Sequence, residues 1–232
     1  MEDNEFDQAL VTAAFEQASL TGWNGLSIVE AARSAGLPLD RARARFPGPA
    51  AVLMRFGLMA DQAALAVPAL EPSARERLFD LVMRRFDVLQ QHRDGVIALL
   101  HDLPRDPGLA LLLGGATLRS MGWLLEAAGV SAQGFRGRLR ANALVGVWLY
   151  TLRAWKNDDS PDLAGTMAAL DKALDRAGQA SGMLRDRAAP SYDVPPDVLD
   201  GVVDVDGPSE PPADDVAAEF NSPPPESPAS PV

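Results

Sequence analysis

The stretch of sequence that decides the fold runs from Gly22 to Pro49 and reads GWNGLSIVEAARSAGLPLDRARARFPGP. Ser27 is followed three residues later by Glu30, which is the spacing of a capping box at the start of a helix. Small apolar side chains then recur at i, i+3, i+4 and i+7, at Ile28, Ala31, Ala32 and Ala35. A turn at Gly36 leads to a second brief helix, predicted over Leu39–Arg45. The pattern indicates two short, closely packed helices joined by a tight turn.

The helical pattern continues on both sides of this stretch. Between residues 4 and 182 no segment alternates polar and apolar residues as a strand does, whereas apolar residues recur at helical spacing throughout. The sequence therefore predicts an all-α protein with about nine helices. The predicted helices cover Asn4–Leu20, Ile28–Ala35, Leu39–Arg45, Pro49–Val67, a segment from a Ser73/Glu76 capping box to Gln90, Arg93–Asp102, Asp106–Ala128, Gly134–Trp155, and a last helix that Ser160 caps and Pro161 begins.

Prolines and composition divide the chain into three parts. Pro68 and Pro72 interrupt the helical pattern, which favours a boundary at that point. We predict a helix-turn-helix domain with its connecting helix over residues 1–67, a second helical domain over 68–182, and a tail over 183–232.

The helix predicted over Gly134–Trp155 is apolar on more than one face. Leu144 and Trp148 share one stripe, while Leu149 and Tyr150 lie on other faces. One face can pack within the chain, and another requires a second partner. We therefore predict a homodimer through the last two helices, which would meet their copies in a four-helix interface.

The net charge of −11 is concentrated in the tail. Residues 185–232 hold 11 Asp and Glu but only two Arg, so nine of the eleven excess negative charges lie there. The same segment contains 11 of the 19 prolines. Such a composition buries too little apolar surface to offset its chain entropy, so we expect disorder from about Met183 onward.

Composition excludes several classes of function. The chain has no cysteine, so it has no disulfide and no thiolate metal site, and His92 and His101 lack carboxylates at ligand spacing. We expect no metal and no cofactor. No phosphate-binding glycine loop, nucleophile elbow or helical zinc signature occurs, so an enzyme is not predicted. The sequence contains no apolar run of about 18 residues and its first residues are acidic, so we expect a cytoplasmic protein.

Large apolar side chains in the second helical domain could line a ligand pocket. Because this lining offers few polar anchors, it would suit an apolar small molecule or an elongated lipid. An ordinary packed core is the alternative interpretation of each residue. The residues predicted to line the pocket are Phe86, Val96, Leu99, Leu100, Leu112, Met121, Leu124, Trp148 and Leu152.

The region from Ala9 to Phe56 resembles the DNA-binding domain of the Tet-repressor family of transcriptional regulators. The matching features are a long first helix, Gly22-Trp23, Leu26-Ser27, a helix over Ile28–Ala35, Gly36-Leu37-Pro38, and Phe46-Pro47 before a further helix. The resemblance implies an N-terminal domain that binds operator DNA. It also implies a variable helical domain that encloses a small molecule and dimerises through its last two helices.

The resemblance also implies which residues face DNA. They are Leu39, Asp40, Arg41, Arg43, Ala44 and Arg45, whereas Ala42 and Phe46 fall on core positions. Arginine can hold a phosphate or the O6/N7 edge of guanine in two hydrogen bonds. The sequence departs from the family at Arg43, where a tyrosine is usual, and at Pro49, where a lysine usually anchors the next helix to phosphate.

A second resemblance leads to a different function. Phe46-Pro47-Gly48 and parts of Trp148–Leu174, notably Asp158–Leu163 and Thr166–Asp171, are similar to a Tet-repressor-like family that acts in ubiquinone biosynthesis. Members of that family have lost DNA binding and hold isoprenoid lipid in their helical domain. This resemblance implies a non-enzymatic, lipid-binding accessory protein as the alternative to a ligand-responsive transcriptional regulator.

Overall fold

A computed structural model describes residues 2–69 and 71–181 of the chain. Within these ranges the protein is built from nine α-helices and two short 3₁₀ turns, with no β-strand, so the all-α prediction is confirmed. The helices are α1 (Asp3–Thr21), α2 (Ile28–Ser34), α3 (Leu39–Arg45), α4 (Pro49–Leu65), α5 (Ala74–Gln91), α6 (Arg93–Asp102), α7 (Pro107–Ala127), α8 (Gly134–Lys156) and α9 (Ala164–Ser181).

An aromatic cluster joins α1 to the helices that follow the helix-turn-helix unit. Phe15 of α1 is 1% exposed, and its ring lies 4.4 Å from that of Phe56 on α4 and 5.2 Å from that of His92. Trp23 packs edge-on against Phe15 at 4.9 Å and donates from its indole Nε1 to the carbonyl oxygen of Gly95, on α6, at 2.9 Å. The cluster fixes the first helices against α4 and α6, because it replaces water around several large rings at once.

A second cluster lies among α5, α8 and α9. Phe86 on α5 stacks on Trp148 of α8 with ring centroids 4.6 Å apart. Trp155, fully buried on α8, donates its indole N–H to Gln90 Oε1 at 2.9 Å. Leu170 of α9 is also fully buried and belongs to the same continuous core. These contacts hold α8 and α9 against α5.

The helix limits predicted from the sequence agree with the structure to within two residues, except at the start of α9. The Ser73 capping box is present in both directions, as predicted. At Ser27 only half of the predicted box forms: the Ser27 hydroxyl accepts from the Glu30 amide at 3.4 Å. The Glu30 carboxylate instead accepts from the Gln17 side chain of α1 at 3.2 Å, which links α2 to α1.

The prediction that Pro161 begins the last helix is wrong, although the Ser160 hydroxyl does accept from the amide of Ala164, the first helical residue, at 3.1 Å. α9 begins at Ala164, and Leu163 just before it has a positive φ of 55°. The carboxylate of Asp158 causes the later start, because it accepts from both the amide and the hydroxyl of Thr166, at 2.6 and 2.7 Å. Because the Asp158 carboxylate already accepts from the Thr166 amide, that amide is not available for the intrahelical hydrogen bond that an earlier helix start would give it.

Replacing Asp158 by alanine is expected to lower the free energy of unfolding by about 1–2 kcal/mol, the usual loss when an N-capping side chain is removed. Hydrogen bonds, first from Ser160 and then from Thr166, lower the pKa of Asp158 from 3.8 to about 2. The stabilisation is therefore complete above pH 3.8 and is lost as the pH falls towards 2. Urea unfolding of both proteins near neutral pH and near pH 2 measures it. A gap of the same size at both pH values would contradict this assignment, and Asp159→Ala is the control because the Asp159 side chain is 98% exposed.

The three-part division of the chain stays a prediction. All described residues belong to one compact unit of the chain, and α1 packs on α6 across the predicted boundary near residue 68. The tail expected to be disordered from about Met183 lies outside the described residues.

Candidate nucleic-acid interface and ligand cavity

Helices α2 and α3 form the tight two-helix unit predicted from the sequence. Ala31 and Ala32 of α2 are almost fully buried, so α2 lies close to its neighbours. The turn between the helices passes through Gly36, whose φ of 66° lies in the left-handed region that glycine adopts without strain. Leu37 is buried directly after it. The turn is thus fixed by one backbone conformation and one apolar anchor.

The outer face of α3 is the candidate nucleic-acid interface. Ala42 and Phe46 are each 2% exposed, so both core assignments are confirmed. The remaining residues of the short helix surround these two buried positions. Those exposed to solvent are Leu39, Asp40, Arg43 and Ala44.

Arg41 and Arg45 are paired with carboxylates of α1. Arg41 Nη2 lies 2.5 Å from Asp3 Oδ1, and its guanidinium lies over the Phe6 ring at 4.4 Å. Arg45 donates two hydrogen bonds to Asp7, at 2.5 and 2.6 Å, and also lies 3.0 Å from Asp3. Asp7 raises the pKa of Arg45, and the hydrogen bond from Arg41 lowers the pKa of Asp3. Both arginines therefore hold α3 against α1.

Asp7 is the centre of this ion cluster. Its side chain is 2% exposed, and Arg55 Nε of α4 lies 2.7 Å from its Oδ2, the oxygen that also accepts from Arg45 Nη2. One buried carboxylate thus connects α1, α3 and α4. A buried charge of this kind is stable only when it is fully paired.

Arg43 has a different environment. It is exposed and makes one weak contact, a 3.3 Å hydrogen bond from Nη1 to the carbonyl oxygen of Pro47. Arg33, in the last turn of α2, is also exposed. Of the six residues predicted to face DNA, four are exposed and two are held by α1. Their contact with DNA stays a prediction.

The charge of the N-terminal helices is unfavourable for a nucleic-acid partner. Residues 2–67 hold eight acidic and five basic side chains, a net charge of −3. Non-specific affinity for DNA comes mostly from neutralising phosphates, so this surface would bind weakly without specific contacts.

A cavity of about 310 Å³ lies between α4, α5 and α7. That volume is at the lower end of the range of small-molecule sites. Half of the lining comes from α4, at Leu53, Met54, Gly57, Leu58, Asp61, Gln62 and Leu65. The other half is Arg85 of α5 and, on α7, Leu113, Ala116, Thr117, Arg119, Ser120 and Trp123.

The residues predicted to line a pocket lie elsewhere. None of them borders this cavity or the more open one between α1 and α6. Phe86, Val96, Met121, Leu124 and Trp148 are buried in the core, Leu99, Leu100 and Leu152 are half-buried, and Leu112 is 44% exposed. Their role as ligand contacts stays a prediction.

Sequence reasoning missed the polar residues of the cavity. Arg85 Nη1 donates to both Asp61 Oδ1 and Ser120 Oγ, and the Ser120 hydroxyl donates to Asp61. A signal was available, because Arg85 lies seven residues after Leu78 on the buried stripe of α5. A charged residue on a buried stripe indicates either a buried ion pair or a polar site.

Helices α7 and α8 each expose several large apolar side chains. By length and composition alone α7 is long and apolar enough to cross a membrane, which was not expected from the sequence. One such helix is weak evidence for a membrane span, because core helices of soluble proteins can have the same length and composition. On α8 the exposed large apolar residues are Phe135, Leu139, Leu149 and Tyr150.

Comparison with known proteins supports the fold. No protein-family model matches the chain, and no curated protein matches it. Among solved structures, a TetR transcriptional regulator from Nitrosomonas europaea ATCC 19718 matches with a TM-score of 0.60 and 22% identity, covering 75% of this chain and 98% of that one.

Two further regulators match over similar lengths. A TetR transcriptional regulator from Rhodococcus sp. RHA1 gives a TM-score of 0.54 at 16% identity, covering 76% of this chain and 97% of that one. A tetR-family transcriptional regulator from Streptomyces coelicolor gives a TM-score of 0.54 at 20% identity, covering 78% of this chain and 86% of that one. The chain therefore has the Tet-repressor fold that its sequence resembles. The resemblance to the ubiquinone-biosynthesis family stays a prediction.

Proposed function

We propose that the protein is a homodimeric, ligand-responsive transcriptional regulator of Tet-repressor type that binds operator DNA through α3. The observation that carries the proposal is the position of α4. This helix begins at Pro49, separated from the end of α3 by three residues, and it supplies half of the cavity lining. A ligand in the cavity would therefore contact the helix that holds α3.

The contacts of α4 provide a route from cavity to interface. Arg55 ties α4 to Asp7, which in turn holds Arg45 of α3. A ligand that displaces α4 would move α3 with it, since these ion pairs are short and partly buried. In a dimer this movement would change the distance between the two α3 helices that contact DNA, and operator affinity depends on that distance.

The dimer and the location of the protein are part of the proposal. Exposed Leu149 and Tyr150 on α8 provide apolar surface for a second copy, alongside α9. A regulator of this kind acts where the chromosome lies, so we propose a cytoplasmic, non-enzymatic protein, with α7 as a helix of the bundle.

Arg43 is proposed as the main side chain that reads DNA. Binding to the DNA upstream of the protein's own gene and to a scrambled fragment, measured by fluorescence anisotropy at about 50 and about 200 mM salt, tests this. We expect preference for the upstream fragment and a loss of about tenfold in Arg43→Ala, the lower range for one bidentate base contact. The control is Arg153→Ala, an exposed arginine of α8.

Weak binding that does not depend on sequence, in wild type and Arg43→Ala alike, would contradict the proposal that the protein is a transcriptional regulator.

The lipid-binding alternative is favoured by one observation, the ion pairs that hold Arg41 and Arg45 to Asp3 and Asp7. Isoprenoid lipid that co-purifies with the protein, detected by mass spectrometry, would support that alternative.

Replacing Asp3 by asparagine is expected to strengthen DNA binding several-fold at low salt. The substitution removes a carboxylate that pairs with Arg41 and Arg45 and repels phosphate, and the salt dependence should steepen by about one phosphate contact. Glu71→Gln changes the net charge equally outside the N-terminal helices and serves as the control. The same anisotropy assay measures the DNA affinity of Asp3→Asn, Glu71→Gln and wild type at both salt concentrations. Unchanged affinity in Asp3→Asn would show that Asp3 does not compete with DNA.

A further inference from the structure

The α4–α5–α7 cavity contains a buried arginine with unused hydrogen-bond donors. Arg85 has a side chain 6% exposed, and its guanidinium covers the Trp148 ring at 4.8 Å. Its Nη1 donates to Asp61 and Ser120. Within the described part of the chain, neither Nε nor Nη2 of Arg85 has an acceptor, and Nε is fully buried. Since arginine carries five N–H donors, three of them are unused here.

Unused donors on a buried guanidinium are costly. The polar atoms of buried groups are nearly always paired, and a donor without an acceptor loses the hydrogen bonds that water would give it. Burial lowers the pKa of Arg85, whereas the neighbouring Asp61 raises it. A ligand oxygen placed beside Arg85 would supply the missing acceptor.

The charges along the cavity favour an anion. Arg85 and Arg119 contribute two positive charges and Asp61 one negative charge, so the lining carries a net charge of +1. The Asp61 carboxylate already accepts from Arg85 and Ser120. An ammonium group entering the cavity would meet two guanidinium groups and a carboxylate that is already engaged.

The rest of the lining is apolar and sets the size of the ligand. Much of the wall is formed by Leu53, Met54, Leu58, Leu65, Leu113 and Trp123. A volume of 310 Å³ holds about ten non-hydrogen atoms if each takes the roughly 30 Å³ of a water molecule.

From these observations we infer that the cavity binds a small amphipathic monocarboxylate of about ten non-hydrogen atoms. Its carboxylate accepts from Nη2 of Arg85, which is not fully buried as Nε is, and its apolar part packs on α4 and α7. The inference rests on the proposed role of this cavity as the ligand site. It replaces the purely apolar ligand expected from the sequence with an acid.

Binding of three probes of equal chain length to the purified full-length protein tests the inference. Octanoate, octan-1-ol and octylamine are titrated by isothermal calorimetry near neutral pH, in the absence of DNA. We expect octanoate to bind at least tenfold more tightly than octanol, because a charge-assisted hydrogen bond is about twice as strong as a neutral one. Octylamine should bind most weakly. Equal affinities, a preference for the amine, or no binding of any probe would overturn the inference.

Variants assign the preference to Arg85. Arg85→Met should abolish the preference for octanoate over octanol. Because this change leaves the half-buried Asp61 carboxylate with Ser120 as a partner but without a balancing charge, the doubly neutral Asp61→Asn/Arg85→Gln protein provides a second test, in which neither charge remains and the preference should also be lost. Arg119→Gln is the matched control and should retain the preference. Loss of the preference in Arg119→Gln alone would overturn the assignment to Arg85.

The test is independent of the proposed DNA binding. If the protein binds octanoate but no DNA, this inference is supported and the proposed regulator function is contradicted. If it binds operator DNA but does not discriminate among the three probes, the regulator function is supported and this inference is contradicted.

Discussion

Replacing Asp7 by alanine is expected to lower the free energy of unfolding by about 2–4 kcal/mol. Breaking a fully buried ion pair costs about 3–5 kcal/mol, and the estimate is reduced because Arg45 and Arg55 are 31% and 20% exposed. The substitution would leave these two guanidinium groups without their shared carboxylate; Arg45 would retain Asp3, and Arg55 would retain the side-chain oxygen of Asn4. α3 would keep its Arg41–Asp3 contact but lose both hydrogen bonds from Arg45 to Asp7, so its position on α1 would be less fixed and DNA binding should also weaken.

Urea unfolding monitored by circular dichroism measures the effect. Gln8→Ala is the matched control, because Gln8 is the next residue of α1 and is exposed. Asp7→Asn should fall between wild type and Asp7→Ala, since its amide oxygen can still accept a hydrogen bond. If Asp7→Ala were as stable as Gln8→Ala, the carboxylate would not be the centre of the cluster.

Replacing Gly95 by alanine is expected to destabilise the protein by about 2 kcal/mol, a typical cost of overpacking a closed core. A Cβ atom at this position would lie 2.8 Å from the carbonyl oxygen of Phe15 and 2.7 Å from its ring. Neither group can move easily, because Phe15 packs against Trp23, Phe56 and His92. The α1–α6 contact would have to open.

Gly114→Ala provides a control with the opposite sign. Gly114 lies inside α7, and a Cβ atom there meets nothing within 4 Å. Since alanine favours a helix over glycine, this variant should gain about 0.5–1 kcal/mol. Thermal and urea unfolding of both variants give the comparison. A Gly95→Ala protein at least as stable as wild type would contradict the close α1–α6 packing.

The helices could be predicted from the sequence because their signals are local. Apolar periodicity, prolines and capping residues lie within a few positions of each helix end, as at Ser73. The start of α9 could not be predicted in this way. Ser160 and Pro161 carry a good local signal, yet Asp158 reaches the Thr166 amide once the chain has turned, and that contact decides where α9 begins.

The candidate sites were harder to predict than the fold. The exposed face of α3 followed from the resemblance, but the capture of Arg41 and Arg45 by α1 depends on how two helices cross. The burial of Asp7 could have been predicted, since it lies on the buried stripe that continues with Val11 and Ala14. A carboxylate at a buried position is expected to be paired, but the sequence does not identify its partners.

The cavity could not be located from the sequence. Large apolar residues such as Phe86 and Met121 look alike whether they fill a core or line a pocket, and here they fill the core. The cavity occurs where α4, α5 and α7 do not close on one another, a property of their separation. Its lining includes Gly57 and Ala116, which leave space because they are small.

Selection of bound sequences from a pool of random double-stranded DNA tests the central claim most directly. The full-length protein is incubated with the pool at low salt, and the retained DNA is sequenced over several rounds. We expect enrichment of an inverted repeat with half-sites centred about 34 Å, or a multiple of that distance, apart, as a dimer with two α3 helices requires. Retained DNA with no enriched sequence would contradict the account of α3 as a reader of DNA.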